Sequence, residues 1–329
     1  MNKLSTLTLR VLRKLYAKNI GTYQFPPLPC EKNLDKASDL IYDLLATGEP
    51  CMIARWGATE ISIVVNYLGI QSPNHNIWSF IQGKTIEWWW NPKMIHQMEK
   101  WSGFFPSTPD TVSHFSKLML DDAKEMDICG LFTSVENPIH YVLSYMNNPR
   151  YVPLVAYENA TSKNPWTRIL KGKKVLVVHP FSKLIEKQYK EKRTLLFDNQ
   201  DSLPEFELQT IQAVQSLGGV SHGFKDWFSA LQWMKDEIDK RDYDICLIGC
   251  GAYGFPLAAH IKRQGKQAVH IGGSLQLFFG IKGKRWETDA TPWGLPTNYY
   301  KNLFANPAWV RPDEYITEQA KMVENGCYW

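Results

Sequence analysis

The 329-residue chain lacks several features that would assign it to a common protein class. It has no apolar run near the roughly 20 residues of a membrane-spanning helix. With a net charge of +4 and no long run of lysine or arginine, it shows no nucleic-acid surface, so no nucleic-acid partner is expected. Its six cysteines form no Cys-x-x-Cys pair, which argues against a zinc site and predicts reduced thiols in a cytoplasmic protein. Walker loops, nucleophile elbows, His-Glu-x-x-His motifs and internal repeats are also missing.

A globular composition is what remains, with 44% hydrophobic residues and 13 tryptophans. Such tryptophans are either core anchors or platforms on which sugars and bases stack. Residues 1–20 mix leucines and basic residues at helical spacing, so we expect a helix that either packs on the protein or lies on the inner face of a membrane. We divide the chain into this helix with its proline-rich connector, residues 1–34, and a single domain, residues 35–329.

The remaining pattern predicts an α/β fold: a Rossmann-like, mostly parallel sheet with helices on both faces and an aromatic-rich helical layer inserted at about 74–127. "CMIA" reads as a buried strand leading to a helix, "MDICGLF" and "RYVPLVAY" as two more strands, and "KVLVV" as a strand ending at His179. "LPEFELQTIQAVQSL" predicts an amphipathic helix. Residues 243–273 predict a strand, a glycine-rich turn, a helix and a further strand, the order of a βαβ unit.

The glycine-rich turn "GCGAYG" matches the spacing Gly-x-Gly-x-x-Gly after a strand and before a helix. Glycines let a ligand approach the backbone, and a helix N-terminus attracts phosphate. No acidic residue ends the following strand, so a nicotinamide cofactor is disfavoured. The turn either binds a phosphate or nucleotide-sugar or is glycine-rich for packing alone. Its candidate donor-binding residues are Gly249, Gly251, Tyr253 and Gly254.

A second candidate cluster follows the last predicted strand. Gly272, Gly273 and Gln276 come first, and the basic residues Lys282, Lys284 and Arg285 then stand beside Trp286. Arginine can bind a diphosphate in bidentate fashion and tryptophan can stack on a ring, although a solvated basic loop would give the same pattern.

Two strand ends add titratable groups. Arg55 and Glu60 follow "CMIA" and are either ligand-binding groups or a structural ion pair. His179 ends one strand and His270 nearly ends another, so both should lie at one edge of the sheet, where a single histidine is more often structural than catalytic.

The segments "IARWGATE", "WTRILKGKKVLVVHPF" and "YDICLIGCGAYGFPLAAHIKRQGKQAVHIGG" together resemble the GT-D-type bacterial glycosyltransferases, a family first known as a domain of unknown function. The likeness covers about residues 51–273. In that family an Arg-Phe-Gly-Asp-Gly-Glu motif supplies two carboxylates for donor and metal binding. Arg55, Gly57 and Glu60 match it, Trp56 replaces the phenylalanine, and Ala58 stands where the aspartate is expected.

The resemblance implies an enzyme that moves a sugar from a nucleoside diphosphate donor to a glycan or lipid-linked glycan, in surface-polysaccharide assembly. Glu60 and His179 become the candidate catalytic residues, and Arg55 and Gly57 join the donor-binding set. The missing aspartate leaves two options: Mn²⁺ or Mg²⁺ bound by Glu60 with groups from elsewhere, or fixed cations that neutralise the leaving diphosphate, which we favour. A pyruvyl, phosphoryl or sulfuryl transferase and a non-catalytic nucleotide- or carbohydrate-binding protein are the alternatives.

Overall fold

The computed structural model describes residues 3–216, 220–287 and 294–315. Cys327 lies outside these ranges, and the other five cysteines are free. The strands are β1 (Cys51–Ala54), β2 (Ile128–Leu131), β3 (Arg150–Pro153), β4 (Lys174–His179), β5 (Glu207–Gln212), β6 (Ile245–Ile248) and β7 (Gln267–His270). The helices are α1 (Lys3–Asn19), α2 (Leu34–Ala46), α3 (Ala58–Gln71), α4 (Ile77–Ile81), α5 (Pro92–Ser102), α6 (Pro109–Asp122), α7 (Thr133–Ile139), α8 (Ser182–Leu196), α9 (Trp227–Asp239), α10 (Gly254–Arg263), α11 (Leu275–Phe278) and α12 (Tyr299–Phe304).

The seven strands form one sheet in the order β3-β2-β1-β7-β6-β4-β5, and every pair in it is parallel. Helices cover both faces, each over its own apolar core. One core receives side chains from α3, α5, α6, α7, α9 and α10, and the other from α2, α8, α11 and α12. The predicted α/β class with a parallel sheet is therefore confirmed.

The connections identify one crevice of the sheet as special. The chain passes from β4 to its neighbour β5 through α8, on one face. It passes from β6 to its neighbour β7 through α10, on the opposite face. Neighbouring strands whose connections leave in opposite directions create a topological switch point, and ligands bind in α/β sheets at the carboxyl ends of such strands. The crevice between β4 and β6 is such a point.

The helical layer predicted at about 74–127 corresponds to α4, α5 and α6. Local signals define its helix ends: the Asn91 and Thr108 side chains cap α5 and α6, and a proline follows each cap. Gly103 ends α5 in the left-handed conformation, at φ 67°. Aromatic edge contacts such as that between Phe104 and Phe115 fill the layer, so its phenylalanines are core anchors, whereas its tryptophans are partly or largely exposed.

One predicted helix is wrong. Much of the segment "LPEFELQTIQAVQSL" is the edge strand β5, which pairs residue by residue with β4. Its apolar residues Leu208 and Ile211 are three positions apart, the spacing of a helix face, but only Ile211 is buried. Pairing with β4 outweighs this weak local pattern. The helix between β4 and β5 is α8, which precedes the segment.

The predicted N-terminal helix is α1, which lies against α4. Within the three described ranges, no helix is both long and apolar enough to cross a membrane.

Candidate active site at the carboxyl edge of the sheet

A cleft opens along the carboxyl edge of the sheet and has two adjoining chambers. The first encloses about 1000 Å³, including the part open to solvent, and lies over the ends of β1, β4, β5 and β6. The second encloses about 950 Å³ and lies over the ends of β2, β3 and β7. The residues that line both chambers are Arg55, Phe132, Gly273 and Arg285. Two guanidinium groups therefore lie at the boundary between the chambers.

Arg55 is a partly buried cation without an acidic partner among the described residues. It follows β1, and its guanidinium lies about 6.0 Å from the centre of the Phe132 ring. One amino group donates to the carbonyl of Trp56 at 3.2 Å, whereas the buried Nε has no acceptor in the described part of the chain. Hydrogen-bond donors left unmet in a buried site are costly unless a ligand satisfies them. Arg55 is therefore suited to bind an anion.

Gly272 explains how Arg55 reaches this position. The glycine follows β7 with φ at +80°, and a Cβ there would come 2.7 Å from Arg55 Nε. A larger residue would both strain the backbone and displace the guanidinium.

The side chain of Trp56, by contrast, is fully buried against Phe255 at 4.6 Å between ring centres, so this tryptophan is a core residue.

Glu60 lies in the first turn of α3 and lines the first chamber. Its carboxylate folds back over Gly57, where a Cβ would come 1.8 Å from Oε2, so a larger residue at this helix start would displace the carboxylate. Glu60 is 9% exposed and forms no ion pair with Arg55 or with any other described residue. The structural ion pair considered from the sequence is thus absent, and the N-terminus of α3 stabilises the negative charge. Ala58, at the first position of α3, also lines the chamber.

His179 ends β4 and lines the first chamber from the switch-point crevice. Its Nδ1 accepts a hydrogen bond from the backbone N–H of Phe181 at 3.0 Å. Burial lowers the pKa of His179 to about 3, so the imidazole is neutral and its proton resides on Nε2. In this tautomer His179 can donate a hydrogen bond through Nε2 but has no free lone pair to act as a base.

His270 ends β7 at the same edge of the sheet, as predicted, but it does not line either chamber. Its imidazole packs against the start of α10, so closely that a Cβ on Gly254 would lie 2.2 Å from the ring. Burial, helped by the charge of Arg55, lowers the pKa of His270 to about 3.

The glycine-rich turn has both packing and open positions. Gly249 and Gly254 are packing glycines, since a Cβ on Gly249 would come 2.8 Å from His179. Gly251 differs: its φ is +59°, nothing lies within 4 Å of its Cβ position, and it lines the first chamber. The Tyr253 hydroxyl lies 2.6 Å from Ser216 Oγ, and Ser216 lines the same chamber. Burial raises the pKa of Tyr253. The hydrogen bond between Tyr253 and Ser216 connects the turn to the loop that follows β5.

The basic loop contributes one of its three cations to the cleft. Arg285 lines both chambers and Trp286 the second, whereas Lys282 and Lys284 are not among the described lining residues. Gln276 is buried and donates to the carbonyl of Lys282 at 3.0 Å, which fixes the start of the loop.

Glu158 in the second chamber was not predicted from the sequence. It lies beyond β3, and the Tyr300 hydroxyl is 2.9 Å from both of its carboxylate oxygens. Burial raises the pKa of Glu158 to about 8, against the opposing effect of the Tyr300 bond, so its carboxyl is mostly neutral near pH 7. Tyr300 is 142 positions away, so no local motif signals the pair.

Trp101 is the second residue that sequence motifs did not single out. It lies near the end of α5, is 38% exposed and lines the first chamber. A half-exposed indole on a cleft wall can stack on a sugar ring. The tryptophan count was the one available signal, and it does not say which indole faces the cleft.

The residues present do not form a protein-only metal site. Among the described residues, no group of three or more histidine, cysteine, aspartate or glutamate side chains is placed to hold a metal ion. Glu60 is the one carboxylate among the described residues that line the first chamber, because Ala58 occupies the expected second position. Mn²⁺ and Mg²⁺ need several oxygen ligands. This donor set does not supply them.

No protein-family model matches the chain. No curated protein matches it either. Among the solved structures similar to it is a selenomethionine-substituted structure of domain of unknown function 1792, 10% identical with a TM-score of 0.42, with 88% of this chain and 95% of that chain covered. Another is described as "The highly conserved domain of unknown function 1792 has a distinct glycosyltransferase fold", 9% identical with a TM-score of 0.40 and the same coverage. At these values the likeness supports no conclusion about activity.

Proposed function

We propose that the chain is a glycosyltransferase that moves a sugar from a nucleoside diphosphate donor to a glycan or lipid-linked glycan acceptor of surface-polysaccharide assembly. The observation that carries this proposal is Arg55, a partly buried guanidinium at the boundary of the two chambers, whose buried Nε has no acceptor and which has no acidic partner among the described residues. A diphosphate bound there would satisfy its donors through charge-assisted hydrogen bonds.

The surroundings of Arg55 suit a diphosphate that leaves during the reaction. Arg285 is a second cation at the boundary, and Gly251 opens the turn before α10 toward the first chamber. Fixed guanidinium groups stabilise charge that develops on a leaving group. In this proposal Arg55 and Arg285 replace the three-cation loop expected from the sequence.

The first chamber would hold the reacting sugar and the acceptor. An acceptor hydroxyl attacks the anomeric carbon, the bond from that carbon to the diphosphate oxygen breaks, and Glu60 takes the hydroxyl proton. His179 donates a hydrogen bond from Nε2 to a sugar or phosphate oxygen, and Trp101 stacks on a sugar ring. No step passes through a metal ion.

The second chamber would hold the nucleoside. Its walls are largely apolar, and Trp286 offers an aromatic surface. The neutral Glu158 carboxyl and the Tyr300 hydroxyl can hydrogen-bond to an uncharged base or ribose without burying an unpaired charge.

A donor screen tests the proposal. Nucleoside diphosphate sugars are incubated with the protein, and slow hydrolysis of the donor is measured, with water as acceptor. We expect hydrolysis of at least one donor, reduced by about 100-fold or more in Glu60→Gln, because general-base catalysis contributes that much. Glu49→Gln, on an exposed residue before β1, is the control and should keep wild-type activity.

Other outcomes would contradict the proposal. Consumption of a pyruvyl, phosphoryl or sulfuryl donor in place of nucleotide sugars would assign another transferase. Donor binding with no turnover, unchanged in Glu60→Gln, would indicate a non-catalytic binding protein.

A further inference from the structure

Helix α1 presents its apolar residues to solvent. Leu4, Leu7, Val11 and Leu15 are 73%, 58%, 47% and 51% exposed. They are spaced three or four positions apart, so they form one continuous stripe along the helix. We call this set the leucine stripe. A helix that only packs on a protein would bury such a stripe.

The opposite face of α1 attaches the helix to the protein through the buried Leu9 and through cationic groups. Arg10 forms a bidentate ion pair with Glu87, with distances of 2.6 and 2.7 Å. Arg13 donates to the carbonyl of Thr85 at 3.1 Å, and its guanidinium lies 4.7 Å from the centre of the Phe80 ring. These contacts fix the rotation of the helix and keep the leucine stripe outward.

The neighbouring helix α4 contacts α1 on the face opposite the leucine stripe. Ile77 is 55% and Trp78 58% exposed, and the Trp78 ring lies edge-on to Tyr16 at 5.7 Å.

The charge of α1 distinguishes between occupants of this surface. The helix sequence has five lysines and arginines and no acidic residue. Lys14 and Lys18 are exposed and lie on the same side as the leucine stripe. A second copy of α1 would bring like charges together, whereas anionic lipid headgroups would pair with them.

We propose that the leucine stripe docks the protein on an anionic phospholipid bilayer, with α1 lying in the interface. The leucines enter the boundary between headgroups and acyl chains, and Lys14 and Lys18 contact the lipid phosphates. This inference is independent of the proposed transferase activity.

Vesicle flotation tests the proposal with the full chain. Vesicles contain either phosphatidylcholine alone or equal parts of phosphatidylcholine and phosphatidylglycerol. We expect binding to the anionic vesicles, weakened about tenfold or more in the double variant Leu7→Gln with Leu15→Gln, and weakened similarly in Lys14→Gln with Lys18→Gln. Leu195→Gln is the matched control, because Leu195 is 57% exposed on the distant helix α8.

Two results would overturn the proposal. One is an absence of binding to anionic vesicles by the wild-type protein; the other is equal binding by the leucine-stripe variant. Unchanged circular dichroism and thermal midpoint would verify that the variant is folded. Light scattering tests whether the stripe instead binds a second copy of the chain. That alternative predicts a wild-type dimer, a monomeric leucine-stripe variant, and no vesicle binding by either.

Discussion

Replacing Glu158 by glutamine should change how the stability of the protein depends on pH. Glutamine keeps the shape of the side chain and an oxygen that can accept from Tyr300, but it cannot ionise. Burial raises the pKa of Glu158 from 4.5 to about 8. The folded protein therefore retains a proton on Glu158 at pH values where the unfolded chain has released it.

The sign and size of the effect follow from this difference. Below pH 4.5 both states of the wild type carry the proton, and the buried neutral carboxyl costs least. Between 4.5 and about 8 only the folded state carries it, so the free energy of unfolding falls as pH rises. At about 1.4 kcal/mol for each pKa unit, the loss over the whole window is on the order of 5 kcal/mol.

Urea denaturation at several pH values from 5 to about 8, followed by tryptophan fluorescence, measures this loss. The Glu158→Gln variant should lack the part of the decline that Glu158 causes. A control, Glu191→Gln, changes an exposed residue on α8 and should keep the wild-type decline. Equal pH dependence in wild type and Glu158→Gln would refute the assignment of a neutral, buried carboxyl.

Two further predictions concern the site. Gly254→Ala should lower the free energy of unfolding by about 1–3 kcal/mol, because its Cβ would overlap the His270 imidazole. Gly251→Ala should lower it by about 1 kcal/mol, through the positive φ alone. Thermal denaturation would rank the two variants, and the reverse order would contradict the packing role of Gly254. Ala58→Asp adds a second carboxylate near Glu60, so calorimetry should detect Mn²⁺ binding about tenfold or more tighter than in wild type. Unchanged Mn²⁺ affinity would show that the side chains at positions 58 and 60 do not bind the same metal ion.

The sequence predicted the edge of the sheet at which the site lies, because parallel strands bring their carboxyl ends together. Arg55, His179 and the turn containing Gly251 each lie at the end of a predicted strand, and all three line the cleft in the structure. Sequence patterns could not say which loop cations point inward. Of the three loop cations, only Arg285 lines the chambers among the described residues.

The features that sequence reasoning missed depend on long-range contacts. Glu158 is polar and follows a short strand, and its hydrogen-bond partner Tyr300 is distant in the sequence. Strand β5 has helical spacing in its apolar residues and is defined by its pairing with β4. Burial and strand pairing are set by the whole fold, so a local pattern cannot reveal them.

The central claim is that Arg55 binds the diphosphate of a nucleotide donor, and calorimetric titration with a nucleoside diphosphate such as UDP tests it most directly. Wild type should bind, and Arg55→Gln should bind about tenfold or more weakly, because hydrogen bonds to charged groups contribute about 1.5–3 kcal/mol. Arg241→Gln, an exposed arginine just before β6 at the opposite edge of the sheet, should bind like wild type. Equal affinity of Arg55→Gln and wild type, or no binding of any nucleoside diphosphate by the wild-type protein, would contradict the account.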